Sequence, residues 1–253
     1  MKKLPFYLVF VLFSVCIYAQ PTAWQKTFDK VNETFQKEHF KEAIDGYLAL
    51  AKLYDNSPEL YFNLANAYYK TGEYINAVYY YEKALKLAPT LQEAKTNLNF
   101  AKEHLEDDIT LIQEYDKADI AHQSLGKLSA DQWAILATIS SVALLICFMV
   151  YYISHNSTFK RLLFVGMLLS SLLGIGCIYA ASFESNYTKN TEMGIVFAAK
   201  TEVKEEAKST STTLRELHKG TKVFILERNA LWIKIRLENQ EVGWINKDAI
   251  QEI

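Results

Sequence analysis

Three long apolar runs interrupt an otherwise amphipathic chain: Leu4 to Tyr18, Trp133 to Ile153 and Leu162 to Phe183. The first follows Met1-Lys2-Lys3 and ends at Ala19-Gln20-Pro21, the charged, apolar, small-residue order of a secretory signal peptide over residues 1–19, with cleavage expected after Ala19. A retained anchor and lipid attachment at Cys16 are the alternatives, and all three put Trp24 onward outside the cytoplasm. The second and third runs hold 21 and 22 residues without a charge. At ~1.5 Å rise per residue each is long enough to cross a hydrocarbon core of ~30 Å.

Ser129 and Gln132 form a capping-box pattern just before the second run, and Trp133 and Tyr151-Tyr152 mark its ends as interfacial rings would. Residues 154–161 between the runs carry Lys160 and Arg161 and no acid, which predicts a cytoplasmic loop. Residues 133–153 and 162–183 are thus expected to form a two-helix transmembrane hairpin in a bacterial inner (cytoplasmic) membrane. Both soluble parts would then face the same extracytoplasmic space, the periplasm of a two-membrane cell. Neither span contains Asp, Glu, Lys, Arg or His, which argues against a transporter or pump. Ser140, Ser170, Gly166 and Gly174 read as small residues that let the two helices approach.

Residues 20–108 show helical spacing that repeats with a period of 34: Phe28, Phe40, Ala43, Ile44 and Tyr47 recur as Phe62, Tyr74, Ala77, Val78 and Tyr81. The block Pro58 to Pro89 resembles the tetratricopeptide repeat family, through Tyr61, Leu64, Ala65 and Tyr68 on a first helix and Ala77, Tyr81, Ala84 and Pro89 on a second. Repeats are expected at about 24–57 and 58–91, with Gly72 at a turn, a capping helix over 92–105 and a partly helical connector over 109–132. The resemblance implies partner binding in the concave groove lined by each first helix. Asn32 and Asn66, and likewise Asn63 and Asn97, stand 34 apart, so their amides would align along that face, either holding a ligand backbone or tolerated in solvent. Phe62 occupies a position where carboxylate-binding members carry a polar residue, and Lys70 supplies a charge nearby. Candidate partner-binding residues are therefore Asn32, Phe62, Asn63, Asn66, Lys70 and Asn97. The run Glu103, Glu106, Asp107, Asp108 reads as a solvated helix end.

After a polar linker over 184–194 the pattern becomes that of short strands over 195–253. Lys222 to Arg228, Leu231 to Leu237 and Glu241 to Ile245 are the clearest, with turns at Asn229-Ala230 and Glu238 to Gln240. Gly220-Thr221-Lys222-Val223, Trp232-Ile233-Lys234-Ile235 and Gly243-Trp244-Ile245 resemble a bacterial SH3 domain, which implies a small barrel. Trp232 and Trp244 are its candidate groove residues, with a core role as the alternative. The first loop, Glu205 to Ser211, lacks the Gly and Pro usual in the family.

The fold class that follows is a multidomain membrane protein: an all-α tetratricopeptide repeat domain, a transmembrane hairpin and a small all-β SH3-like barrel. Charge adds little, since 27 basic against 29 acidic residues give a net −2, with no surplus to attract nucleic acid. Cys16, Cys147 and Cys177 all lie in apolar runs, and no two histidines have metal-ligand spacing, so no disulfide framework, metal or other cofactor is expected. No catalytic constellation stands out, and the chain does not read as an enzyme. The order signal peptide, repeats, hairpin and SH3-like domain resembles the BatE family of the Bacteroides aerotolerance operon. That resemblance implies a scaffold whose partners are other Bat membrane proteins with von Willebrand factor A domains and, indirectly, a MoxR-type ATPase. The alternative is a peptidoglycan-binding protein acting through the SH3-like domain.

Overall fold

The computed structural model of the protein describes residues 23–107 and 117–253. The expected signal peptide, with Ala19 and Cys16, and residues 109–116 of the expected connector lie outside the described residues.

Five helices form the first part: α1 (Ala23–Gln36), α2 (Phe40–Ala51), α3 (Pro58–Lys70), α4 (Tyr74–Leu87) and α5 (Gln92–Lys102). The local sequence sets their ends. Ser57 accepts a hydrogen bond from the Leu60 amide at the start of α3, where Pro58 occupies the first turn and loses no helical bond. The tight turn between α3 and α4 is made by Gly72 at φ 79°. One core gathers Phe28, Ala43, Ile44, Tyr47, Leu50, Leu60, Leu64 and Ala67 from α1 to α3. A second gathers Ala65, Ala77, Val78, Tyr81, Ala94, Leu98 and Ala101 from α3 to α5. The completely buried alanines let the helix backbones approach closely, and tyrosines fill the space between them.

Helix α6 (Lys117–Leu125) leads into α7 (Ala130–Ile153) and α8 (Ser157–Asn190). The capping box at Ser129 and Gln132 is present, with both reciprocal bonds made. The connection between α7 and α8 is shorter than the sequence suggests: α8 begins at Ser157, capped by the Asn156 side chain, so Lys160 and Arg161 belong to its first turns. At the other end α8 continues through the polar residues 184–190, because no glycine or proline interrupts them. Ser140 and Ser170 fasten the pair reciprocally, each hydroxyl donating to the other's backbone oxygen, at 2.6 and 2.7 Å. Both helices are long and apolar enough to cross a membrane, and their outward Leu, Ile, Val and Phe side chains are exposed. Helix α6 docks where α7 begins and α8 ends. Trp133 Nε1 donates to the Leu125 carbonyl at 2.9 Å, and His122 stacks on Tyr187 with Nδ1 2.8 Å from Glu184 Oε2.

The C-terminal part is one antiparallel sheet of seven strands: β1 (Met193–Val196), β2 (Lys200–Lys204), β3 (Thr213–His218), β4 (Lys222–Asn229), β5 (Trp232–Arg236), β6 (Val242–Asn246) and β7 (Ile250–Glu252). Their order is β3-β2-β6-β5-β4-β1-β7. Residues from six of them, Val196, Val203, Leu217, Val223, Ile233, Ile235 and Ile245 among them, share one core, so the sheet must curl around it.

Repeats and sheet meet along a seam. Ile195, fully buried, belongs to the α3 to α5 core, and Phe197, Leu105 and Ile253 pack against that core. The Tyr79 hydroxyl donates to the Glu252 carbonyl at 3.0 Å, and Lys86 Nζ to that of Ile253 at 2.7 Å. At the centre Lys222 Nζ lies 2.6 Å from Glu82 Oε2, and Lys102 bridges Glu82 and Glu238 at 3.7 and 3.5 Å. Burial pushes the Glu82 carboxyl up, but the Lys222 and Lys102 ammonium groups outweigh it and leave the carboxyl below its usual range. At the far end the Asp107 carboxylate accepts from the His218 amide (2.7 Å), His218 Nδ1 (2.7 Å) and the Thr221 hydroxyl (2.6 Å). Gly220 between them has φ 95°, and a Cβ there would stand 2.5 Å from Leu105 Cδ2. The acidic end that reads as solvated is thus in part a docking element, because its partners lie more than a hundred residues away.

Two outcomes follow. Glu82→Leu or Lys222→Met alone leaves a buried charge without its main partner and should cost about 3–5 kcal/mol, whereas the double replacement should be near neutral. Urea unfolding of the solubilised chain measures both. The bond to Asp107 raises His218 above its ordinary 6.5, so the imidazolium's contribution is complete below that value and is lost as pH rises through the raised one. Asp107 is held below 3.8, the three donors overcoming its desolvation, so its contribution is present above that value and is lost as pH falls through the lowered one. Resistance of the seam to limited proteolysis should therefore be greatest between the two and fall on either side, and His218→Ala should abolish only the alkaline decline.

Candidate functional site

The first helices α1, α3 and α5 stand side by side, and the 34-residue period gives them a shared hydrogen-bond ladder. Asn32 Oδ1 accepts from the Tyr47 hydroxyl of the same repeat at 2.7 Å and from Asn63 Nδ2 of the next at 3.1 Å. Asn66 Oδ1 accepts in the same way from Tyr81 at 2.5 Å and from Asn97 Nδ2 at 2.9 Å. Each asparagine oxygen thus ties a first helix to its own second helix and to the following repeat. Burial pushes the Tyr47 hydroxyl up to about 12 and raises that of Tyr81 as well, so both remain protonated donors.

Beside the second rung lies a cleft of about 320 Å³ lined by Phe35, Asn66, Tyr69, Lys70, Tyr81, Asn97 and Phe100. It brings together three of the residues singled out in the sequence: Asn66, Lys70 and Asn97. The other three are elsewhere. Asn32 and Asn63 form the first rung outside the cleft, and Phe62 packs against the repeat core with its ring 6.1 Å from Tyr81. Sequence reasoning did not single out Phe35, Tyr69 and Phe100. The period could have supplied them, since Phe35 and Tyr69 are 34 apart and Phe100 is 34 beyond Asn66. The cleft offers aromatic walls, the Asn66 Nδ2 group, which has no partner among the described residues, and one exposed ammonium at Lys70. That combination suits an extended chain segment with an apolar side chain, an exposed carbonyl and a negative charge.

A second cleft, about 540 Å³, lies on the sheet and is lined by Lys200, Thr201, Glu202, Lys204, Ser209, Glu216, Trp232 and Asn246. Its charges are largely paired: Lys200 with Glu216 at 2.6 Å, Lys204 with Glu202 at 2.5 Å. The Lys204 hydrogen bond and charge also hold the Glu202 carboxyl below its usual range. Of the two tryptophans only Trp232 reaches this cleft. Trp244 pairs with Lys234 across β5 and β6, and the Lys234 ammonium sits 5.8 Å above its ring.

Residues 58–91 match the tetratricopeptide repeat family and residues 200–251 match the bacterial SH3 domain. No curated protein matches the chain. The chain therefore carries a tetratricopeptide repeat and a bacterial SH3 domain, types that are typically non-catalytic and consistent with protein-binding or cell-wall-binding adaptor roles. The repeat match contains four of the seven residues of the first cleft; Phe35, Asn97 and Phe100 fall outside it.

The ladder separates scaffold from binding surface. Asn66→Ala should cost about 1–3 kcal/mol by stranding the Tyr81 hydroxyl, and Tyr81→Phe about 1 kcal/mol. Lys70→Ala should stay within about 0.5 kcal/mol because its side chain is solvated. Thermal unfolding of the three variants tests this order, which is why Lys70 and Phe100 are the positions at which to probe binding.

Proposed function

We propose that the chain is a membrane-anchored adaptor that holds protein partners in the cleft between α1, α3 and α5 and presents its SH3 domain on the same side of the membrane. The observation that carries this reading is the geometry of α7 and α8. As a hairpin, they bring the end of α6 and the start of the sheet to one membrane surface, while the seam occupies α4 and α5 and leaves the first cleft open. On this reading α7 and α8 cross the inner membrane and the Lys160-Arg161 end is cytoplasmic, following the positive charge there. The repeats and the sheet are then extracytoplasmic. The partners are other Bat-type membrane proteins with von Willebrand factor A domains, linked through them to a MoxR-type ATPase in an aerotolerance complex. The support for that last step is the order of the domains along the chain.

A second reading, peptidoglycan binding, is favoured by one observation: Trp232 and Asn246 share a cleft with solvated ionic groups, a surface able to stack on a sugar and bond a peptide. The two separate experimentally. A photo-crosslinking residue at Lys70 in intact cells should capture von Willebrand factor A-type membrane proteins, Phe100→Ala should lower the yield several-fold, and Trp232→Ala should leave it unchanged. Capture that ignores Phe100→Ala but is lost with Trp232→Ala, together with co-sedimentation with purified wall, would replace the adaptor reading by the second.

A further inference from the structure

Helix α5 is used on two sides. Asn97 and Phe100 form one wall of the repeat cleft, while Lys102, Leu105 and Asp107, at and just past its end, are held by the SH3 domain. Its own anchorage is small: of 11 residues only Ala94, Leu98 and Ala101 are buried. A helix shorter than about 12–15 residues has little stability of its own, and one at the end of a solenoid has a repeat neighbour on one side only. Its placement therefore depends on the seam: Lys102 on Glu238, Leu105 against Gly220, and Asp107 on three donors at the end of β3 and in the turn to β4.

We infer that the SH3 domain is a clamp that positions α5 and thereby sets whether the repeat cleft can bind: docked, it holds Asn97 and Phe100 opposite Asn66, Tyr69 and Lys70; undocked, it lets that wall drift and the cleft loses its partner. This rests on the reading of the cleft as the partner site. The latch at His218 gives the clamp a chemical handle. From the segment after α5 it faces Asp107 at 2.7 Å and Glu106 at 3.7 Å, and from β2 it faces Lys200, whose ammonium opposes protonation. Two acids against one base favour the imidazolium, so mild acid tightens the clamp and alkali loosens it.

The test uses the full chain in lipid nanodiscs. Hydrogen exchange over Gln92 to Lys102 should accelerate by about tenfold in Asp107→Ala and in His218→Ala. Exchange in α1 and α2, and in β5 as a control for an intact sheet, should stay unchanged. Crosslinking from Lys70 in cells should fall in parallel. Unchanged α5 exchange in both variants would overturn the inference, and so would faster α5 exchange with crosslinking yield unaffected. If instead the wild-type crosslink does not respond to Phe100→Ala while α5 exchange still rises, the partner reading fails and the clamp on α5 stands as a structural fact.

Discussion

A carboxylate on the second helix of a repeat and an ammonium at the start of a strand, 140 residues apart, meet at 2.6 Å in the seam between the two soluble parts. Glu82 keeps 4% of its surface exposed, a position in which an unpaired charge would cost several kcal/mol. Lys222 and Lys102 reverse that penalty, so the carboxylate is held ionised below its usual range, and attraction outweighs desolvation. The pair can form only when the sheet is docked. The same docking buries Ile195 in the repeat core and brings the Asp107 carboxylate to the turn after β3. The apolar contact supplies the driving force, which is not directional. The ionic contacts supply the register, because a slipped interface would deprive the buried Glu82 of Lys222, its nearer partner.

The consequences run through α5 and α8. Helix α5 joins the cleft to the seam, so the residues that would touch a partner and those that hold the sheet sit on one short element. Helix α8, with 34 residues spanning ~51 Å, is longer than a bilayer core requires. Its last turns carry Glu184 and Tyr187, which receive His122 of α6. Helix α6 is therefore tied to the hairpin by hydrogen bonds and ring stacking.

Much of this was legible in the sequence because it depends on local or periodic signals. The 34-residue spacing pointed to the paired helices and to Asn66 and Asn97, the Ser129 and Gln132 pattern to the start of α7, and the Gly-Trp-Ile and Trp-Ile-Lys-Ile segments to strands of the sheet. The asparagines carried a further meaning that spacing alone could not resolve: the Asn32 and Asn66 oxygens accept, and the Asn63 and Asn97 side-chain N–H groups donate, in the ladder between repeats, which leaves only part of each amide for a ligand. The seam was not legible. Glu82 on a helix, Lys222 at a strand start and Asp107 in an acidic run each look like solvated charges, and only three-dimensional proximity turns them into an interface. The polar residues 184–190 look like a linker for a similar reason, since only the structure shows Glu184 and Tyr187 receiving His122 of α6.

Joined along the seam, the repeats and the SH3 domain form one body. The most direct measurement is the distance distribution between spin labels carried by non-canonical residues at Lys52 and Ala230 of the full chain in nanodiscs. Both positions are exposed, and neither is among the seam residues. The account predicts a single narrow distribution at neutral pH that broadens when Glu82 is replaced by leucine. A distribution already broad in the unmodified chain would show two independently moving domains and contradict it.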